Sequence, residues 1–355
     1  MKTFLTIFTV FLAFTATAQE KINLAFVGDI MMGTNYPNKS YLMTDGGVNL
    51  FKDCTHIIQK ADCAFGNLEG VLLDEGGTPK KCSNPKVCYA FRTPIAYVKN
   101  LTNAGFDAMS IANNHANDFG IIGRQSTMNT LKSAGIEFAG QKGYCETTIF
   151  QKGNVKYGFC AFAHSTNTPS ITNIEETKKI VSSLKGKCDI IVVAFHGGAE
   201  GVKYAHVTGR TETFLGENRG NVKEFAHACI DAGADIVYGH GPHLPRAVEL
   251  YNGHFIAYSL GNFCTPYRVS LSGALGYAPL LEININKTTG EFVDGKIHSY
   301  IQSKGVGPRT DAQNIVAKNI KSLTAKDFPN TLLSIDEDGT INKKLKTDTH
   351  YCHPK

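Results

Sequence analysis

The chain has 355 residues, a formal charge of +5 at pH 7, 19% charged residues and ten cysteines. Lysine and arginine are scattered without a long basic block, so nothing in the charge pattern asks for a nucleic acid partner. No stretch beyond the N-terminal segment approaches the ~20 apolar residues that a bilayer span requires.

The N-terminal segment carries Lys2, an apolar run from Phe4 to Phe14 and the small-residue pattern Ala16-Thr17-Ala18 before Gln19. This is the pattern of a signal peptide spanning residues 1–18, cut after Ala18, and it predicts a secreted or periplasmic protein. Gln19 follows the cut where a lipid anchor would need a cysteine. All the cysteines lie beyond it, without a CxxC pair or a zinc spacing, so disulfides are expected in an oxidising compartment. Cys82 and Cys88 flank the turn-rich Ser83-Asn84-Pro85-Lys86 and are the first choice for a bond. Cys63, Cys160, Cys188 and Cys229 sit in apolar elements, where a buried thiol is an equal reading.

Beyond the signal, short apolar runs alternate with amphipathic stretches, which predicts an α/β layered fold. Strands are expected at Ile22–Val27, Ala64–Asn67, Ala108–Ala112, Tyr157–Ala163, Ile190–Phe195 and Ile236–Tyr238, all rich in β-branched or aromatic residues. Helices are expected at Ile121–Ala134, from a capping box at Thr172 and Glu175 toward Leu184, and at Val222–Ala232 before Gly233. Ala247–Tyr251 and Phe255–Leu260 bracket Asn252-Gly253 as a hairpin, Ala278–Asn286 and Ile297–Ile301 continue as strands, and Asp311–Leu323 reads as a helix. The whole is closer to a sandwich of two sheets between helices than to one open sheet. One domain over 19–355 is favoured, with a core at 22–265 and a C-terminal extension at 266–355.

Polar residues of metal-binding type fall just past the carboxyl ends of the predicted strands. They are Asp29, Asn67 and Glu69, Asn113-Asn114-His115, His196, and His240 with His243. In open α/β sheets the ligand crevice lies outside those ends, so five segments would converge there. Each residue taken singly has a plain alternative as a cap, turn former or satisfied core histidine; their shared placement favours a site. His164 is a weaker candidate, and His56, His206, His227, His254 and His298 are read as structural. Carboxylate, carboxamide and imidazole without thiolate suit one or two divalent ions of Mn, Fe or Zn.

The ordered set Gly28-Asp29, Phe91-Arg92-Thr93-Pro94, Asp231 through Asp235, Gly239-His240-Gly241-Pro242-His243 and Tyr258 through Phe263 resembles the CapA family, the bacterial poly-gamma-glutamate capsule synthesis proteins of the calcineurin-like metallophosphoesterase superfamily. The resemblance covers most of 22–265 and implies a four-layer α/β/β/α sandwich of two mixed sheets flanked by helices. It implies that Asp29, Glu69, Asn114, His196, His240 and His243 bind metal, with Glu69 in the bridging place, and that His115 donates a proton. Glu200 matches a recurrent acidic position of the family and would orient a ligand imidazole, with Asn67 in a similar supporting place. Arg92, Arg219 and Arg246 lie near motifs and would hold a phosphate or carboxylate of the substrate through two hydrogen bonds, with a surface salt bridge as the plain alternative for each and an even one for Arg246. The superfamily's first motif normally reads Asp, any residue, His, whereas Asp29 is followed by Ile30 and Met31, and two residues separate His240 from His243 in place of one.

The function implied is a metal-dependent phosphoesterase-type hydrolase in capsule biosynthesis, its partners an anionic polymer or phosphoester substrate and capsule-synthesis membrane proteins. The alternative is a non-catalytic metal-binding accessory of polymer synthesis or export. A third reading is an amidase acting on the polymer itself.

Overall fold

The computed structural model describes residues 20–82 and 88–344. The signal-peptide segment therefore lies outside the described residues.

Two mixed sheets face each other. The first runs in the order Leu333–Ile335, Thr340–Lys343, Phe292–His298, Leu280–Asn286, Lys21–Ile30, Cys63–Leu68, Ala108–Ser110, Glu137–Ala139, and Asn262–Cys264 pairs with the end of Lys21–Ile30. The second runs Val248–Tyr251, His254–Ala257, Ile236–His240, Ile190–His196, Val155–Ala163, Thr147–Lys152. In both, the inner strands that lead to the polar segments are parallel.

Strict alternation along these strands builds three apolar layers. Ile22, Leu24 and Phe26 of the first strand face Tyr157, Phe159, Val192 and Tyr238 in the core between the sheets. Ala25 and Val27 point the other way, into a layer closed by Ile58, Leu101 and Leu131. Val193, Phe195 and Val237 of the second sheet meet Val181, Phe225 and Cys229 of the helices Ile174–Ser182 and Val222–Asp231. The result is the expected α/β/β/α sandwich. Every central strand is apolar on both faces because both faces are covered.

Several expectations shift. The helix after Ser170 is capped by Asn173, whose side chain accepts the Glu176 N–H at 3.1 Å, and not by Thr172. The run Ile297–Ile301 is two strands, broken at Ser299, and the expected strand after Gly253 ends at Ala257. The last helix begins at Ile315; Asp311 lies outside it and accepts the Ile315 N–H. Residues after 265 are no appendage to the sheet, since Leu280–Asn286 pairs antiparallel with Lys21–Val27 at its centre. The weakly apolar Thr147–Lys152 forms an edge strand that the pattern gives no sign of.

Cys82 and Cys88 are disulfide-bonded, with 5.6 Å between their Cα atoms. Cys63, Cys160, Cys188 and Cys229 are free thiols.

Candidate metal centre

The carboxyl ends of the parallel strands of both sheets meet at one end of the sandwich. Asp29 and Asn67 pair across the first sheet, and His196 pairs with His240 across the second. Close approach of backbones makes this possible: a Cβ on Gly28 would lie 2.1 Å from the Gly261 carbonyl oxygen, and one on Gly241 would lie 2.5 Å from that of Gly197. Gly241 also has φ +117, which side-chain-bearing residues rarely adopt.

Asp29 is the hub. Its Oδ1 accepts from Asn67 Nδ2 at 2.8 Å and lies 3.2 Å from His240 Nδ1 and 4.0 Å from His196 Nδ1. Its Oδ2 lies 3.1 Å from His243 Nδ1. Glu69 faces the same space, with Oε1 3.7 Å from His243 Nε2, 3.9 Å from His196 Nε2 and 4.0 Å from His115 Nε2. One ligand atom from each of Asp29, Glu69 and His243 lies within 4.8 Å of the others.

Both Glu69 carboxylate oxygens, Asn114 Oδ1, both ring nitrogens of His196 and Nε2 of His240 are buried without a hydrogen-bond partner. Leaving such groups unpaired costs roughly 1–3 kcal/mol each, so their concentration at one point needs compensation. A divalent cation accepts from oxygen and imidazole nitrogen together, and the donor set fits it. The structure therefore brings Asp29, Glu69, His196, His240 and His243 together, while Asn114 offers a buried, unpaired Oδ1 in the loop next to His115.

The electrostatics agree. Burial, reinforced by the nearby Asp29 charge, raises the Glu69 carboxyl to about 8. Burial would also raise Asp29, but the His240 and His243 imidazoles outweigh it and hold the group well below the usual carboxylate range. For His243, burial acts downward and is overcome by Glu69 and Asp29, which lift the ring to about 10. Burial drives His196 far down.

His115 stands beside this cluster in a frame of its own. Its Nδ1 is 2.7 Å from Asp118 Oδ2, and its ring stacks on Phe91 with centroids 4.2 Å apart. Lys80 Nζ lies 2.6 Å from Asp118 Oδ1 and 3.2 Å from His115 Nδ1. Nε2 is left to face Glu69. Burial, with Lys80 adding to it, lowers the His115 pKa against the pull of Asp118.

Asp118 and Asn262 had escaped sequence reasoning. Asn262 Oδ1 lies 3.1 Å from His243 Nδ1, and its Nδ2 donates to the His243 carbonyl at 3.0 Å, fixing a residue whose φ of +61 is uncommon without such support. The position of Asp118 three residues past His115 was a signal open to a closer reading. Asn262 stood inside the Tyr258–Phe263 motif, but no role could be read for it because its partner arrives from a different turn. Asn113 is likewise a brace, donating to Asn67 Oδ1 and the Leu68 carbonyl while its own oxygen accepts the His115 N–H.

The remaining candidates are placed as follows. Asn67 donates to Asp29 Oδ1. Glu200 makes no hydrogen bond to an imidazole among the described residues; its Oε1 accepts from Arg219 Nη1 at 3.1 Å. Arg219 is buried and also donates to Glu217 at 3.0 Å, so its guanidinium is already committed to two carboxylates. Arg92 donates to Asn35 Oδ1 and the Gly76 carbonyl. Arg246 forms no surface bridge: it is fully buried and forks onto Glu212 at 2.9 and 2.8 Å. His164 lies against His196 with ring centroids 6.2 Å apart and pairs with Glu217. Met31, where the superfamily motif has histidine, is fully buried.

Three comparisons place this geometry. Over 262 residues the chain is 30% identical to the PGA biosynthesis protein CapA of Bacillus subtilis, covering 69% of this chain and 64% of that protein. It is 28% identical to the capsule biosynthesis protein CapA of Bacillus anthracis, covering 69% and 60%. The chain thus spans a little under two thirds of the length of the relatives it matches. Its fold resembles that of a phosphatase from Mycoplasma pneumoniae, with a TM-score of 0.50 at 14% identity over 81% of this chain and 96% of that one. The family model described as bacterial capsule synthesis protein PGA_cap matches residues 23–267, and the chain belongs to that family.

Proposed function

We propose that this protein is exported and acts in capsule or poly-gamma-glutamate biosynthesis through a metal-dependent hydrolase site of phosphoesterase type. The observation that carries the reading is the convergence of unpaired buried oxygen and imidazole groups from both sheets beside a separately framed histidine. Asp29, Glu69, Asn114, His196, His240 and His243 would hold one or two divalent ions of Mn, Fe or Zn. When bound, such ions supply Lewis acidity toward an oxygen of the substrate and lower the pKa of water.

The chain's own residues do the rest. Asn67 holds Asp29 in one orientation, and Asn262 holds His243. Asp118 accepts the Nδ1–H hydrogen bond of His115 and turns Nε2 toward the cluster; in the doubly protonated ring Nε2–H is the group that delivers a proton to the leaving oxygen, leaving a neutral imidazole with Nδ1–H still held by Asp118. Phe91 keeps that ring in plane and shields it from water.

Elemental analysis of protein purified without chelator, followed by a panel of phosphomonoesters and phosphodiesters, tests this. One or two equivalents of divalent metal and turnover of at least one class are expected. Full metal with no turnover would favour the accessory reading, which the apolar Met31 in place of a histidine supports.

A further inference from the structure

Arg219, Arg92 and Arg268 stand in opposite electrostatic states. Arg219 is neutralised by Glu200 and Glu217 at 3.1 and 2.9 Å. Arg92 and Arg268 make no ion pair among the described residues. Arg92 rests over Phe119, its guanidinium carbon 4.9 Å from the ring centre, and donates only to neutral oxygens. Arg268 is more exceptional. Its guanidinium carbon lies 4.9 Å from the Tyr41 ring and 4.8 Å from the Tyr89 ring, and its Nε is buried with no hydrogen-bond partner. Its backbone is held at φ +66, in the left-handed region.

A guanidinium packed on aromatic rings is held in orientation, and the Arg268 N–H groups make no hydrogen bond among the described residues. A guanidinium N–H edge is matched by a planar carboxylate, which accepts two parallel N–H bonds. A half-buried cation left without an acid is otherwise costly, as is the unpaired Nε.

The two uncompensated arginines belong to one wall. The Thr34 N–H donates to the Tyr41 carbonyl at 3.1 Å, while Thr34 Oγ1 accepts the Arg92 N–H at 2.9 Å. Tyr89 stands two residues before Phe91, the ring stacked on His115, and two extended residues span about 7 Å. Arg268 itself follows six residues after Asn262, which braces His243. It lies just beyond the stretch 23–267 that matches the family model.

We infer that Arg268, with Tyr41 and Tyr89, forms a subsite that binds a carboxylate carried on the substrate chain, a short distance along that chain from the bond under attack. The location of that bond rests on the hydrolase reading above; the binding itself does not.

The test is calorimetric titration of the metal-loaded full chain with a short γ-linked glutamate oligomer, which bears one carboxylate per unit, and separately with inorganic phosphate. In Arg268→Gln the oligomer should bind roughly tenfold or more weakly, the worth of a charged hydrogen-bonded pair. Arg268→Lys should recover only part of the loss, because an ammonium lacks the forked edge. Tyr89→Leu alters an exposed ring and should weaken the oligomer a few-fold, which keeps the test open if Arg268→Gln fails to fold. Equal oligomer affinity in native protein and the folded variants overturns the inference, as does a dependence on Arg268 seen for phosphate alone. Turnover of a small phosphoester by the native protein is scored separately: its absence would count against the hydrolase reading and leave the binding result standing.

Discussion

The two sheets bring different chemistry to the centre. The first supplies oxygen: Asp29, Asn67 and Glu69 at strand ends, and Asn114 in the loop after Ala108–Ser110, with His115 beside it. The second supplies only imidazoles as ligands: His196, His240 and His243. Neither half is a binding site alone. The oxygen half gathers negative charge that burial penalises; in the nitrogen half burial drives His196 down, while the carboxylates of the other half hold His243 up. The site is a property of the seam, and the seam is set by aromatic packing between the sheets. Phe26 lies 4.9 Å from Tyr238 and 5.3 Å from Phe65, and the Tyr238 hydroxyl reaches toward the Gly66 carbonyl.

That division can be broken on the nitrogen side first. His240→Ala should remove metal and turnover together, with affinity falling by more than the roughly 10–100-fold that losing an outer support costs. Elemental analysis alongside kinetics reads both. Retention of metal at native level would show that the second sheet is not needed to hold it.

A smaller and different effect belongs to the loop beside the oxygen half. His115→Ala should keep its metal while turnover drops by roughly 10²–10⁴-fold, the range for a positioned general acid. Asp118→Asn should follow in the same direction with a smaller loss. If the His115→Ala protein loses its metal, the ring is a ligand and the proton must come from elsewhere.

The smallest effect is expected at the far end of the same second sheet. Asp235 precedes the strand that ends in His240, accepts the Ile191 N–H at 2.7 Å, and is raised by burial from 3.8 to about 6. A raised carboxyl pKa means that the folded chain binds more protons than the unfolded chain between those values, so stability falls as pH rises through the window from 3.8 to about 6. Asp235→Asn keeps an acceptor for Ile191 and should flatten that fall by about 1–3 kcal/mol. Urea unfolding of both proteins at pH 4 and pH 7 measures the difference, and metal content should be unchanged. An identical pH dependence in the two proteins would mean that Asp235 is already solvated.

Much of this was legible in the sequence for one reason: central strands covered on both faces are continuous apolar runs, so the first polar residue after each run marks a strand end. Asp29, Asn114, His196 and His240 were all found that way. What the runs do not encode is what a side chain meets across a turn. Nothing local says that Arg246 is buried on Glu212, that Arg219 is consumed by Glu200 and Glu217, or that Asn262 braces His243. Strand order is similarly hidden, because the pattern of Leu280–Asn286 is that of any half-buried strand and does not say which neighbour it joins.

That last strand has a consequence for how the molecule is made. Lys21–Val27 pairs on one side with Cys63–Phe65 and on the other with Leu280–Asn286, more than 250 residues later. A chain made from its N-terminus carries Asp29 early, on a strand with one open edge, and cannot close that edge until Leu280–Asn286 has been made. Pairings at such separation pay their loop-closure entropy late and slow the search for the native state. Until then the exposed edge is open to any other extended segment, so the strand that begins the metal centre is also the one most in need of protection before the chain is complete.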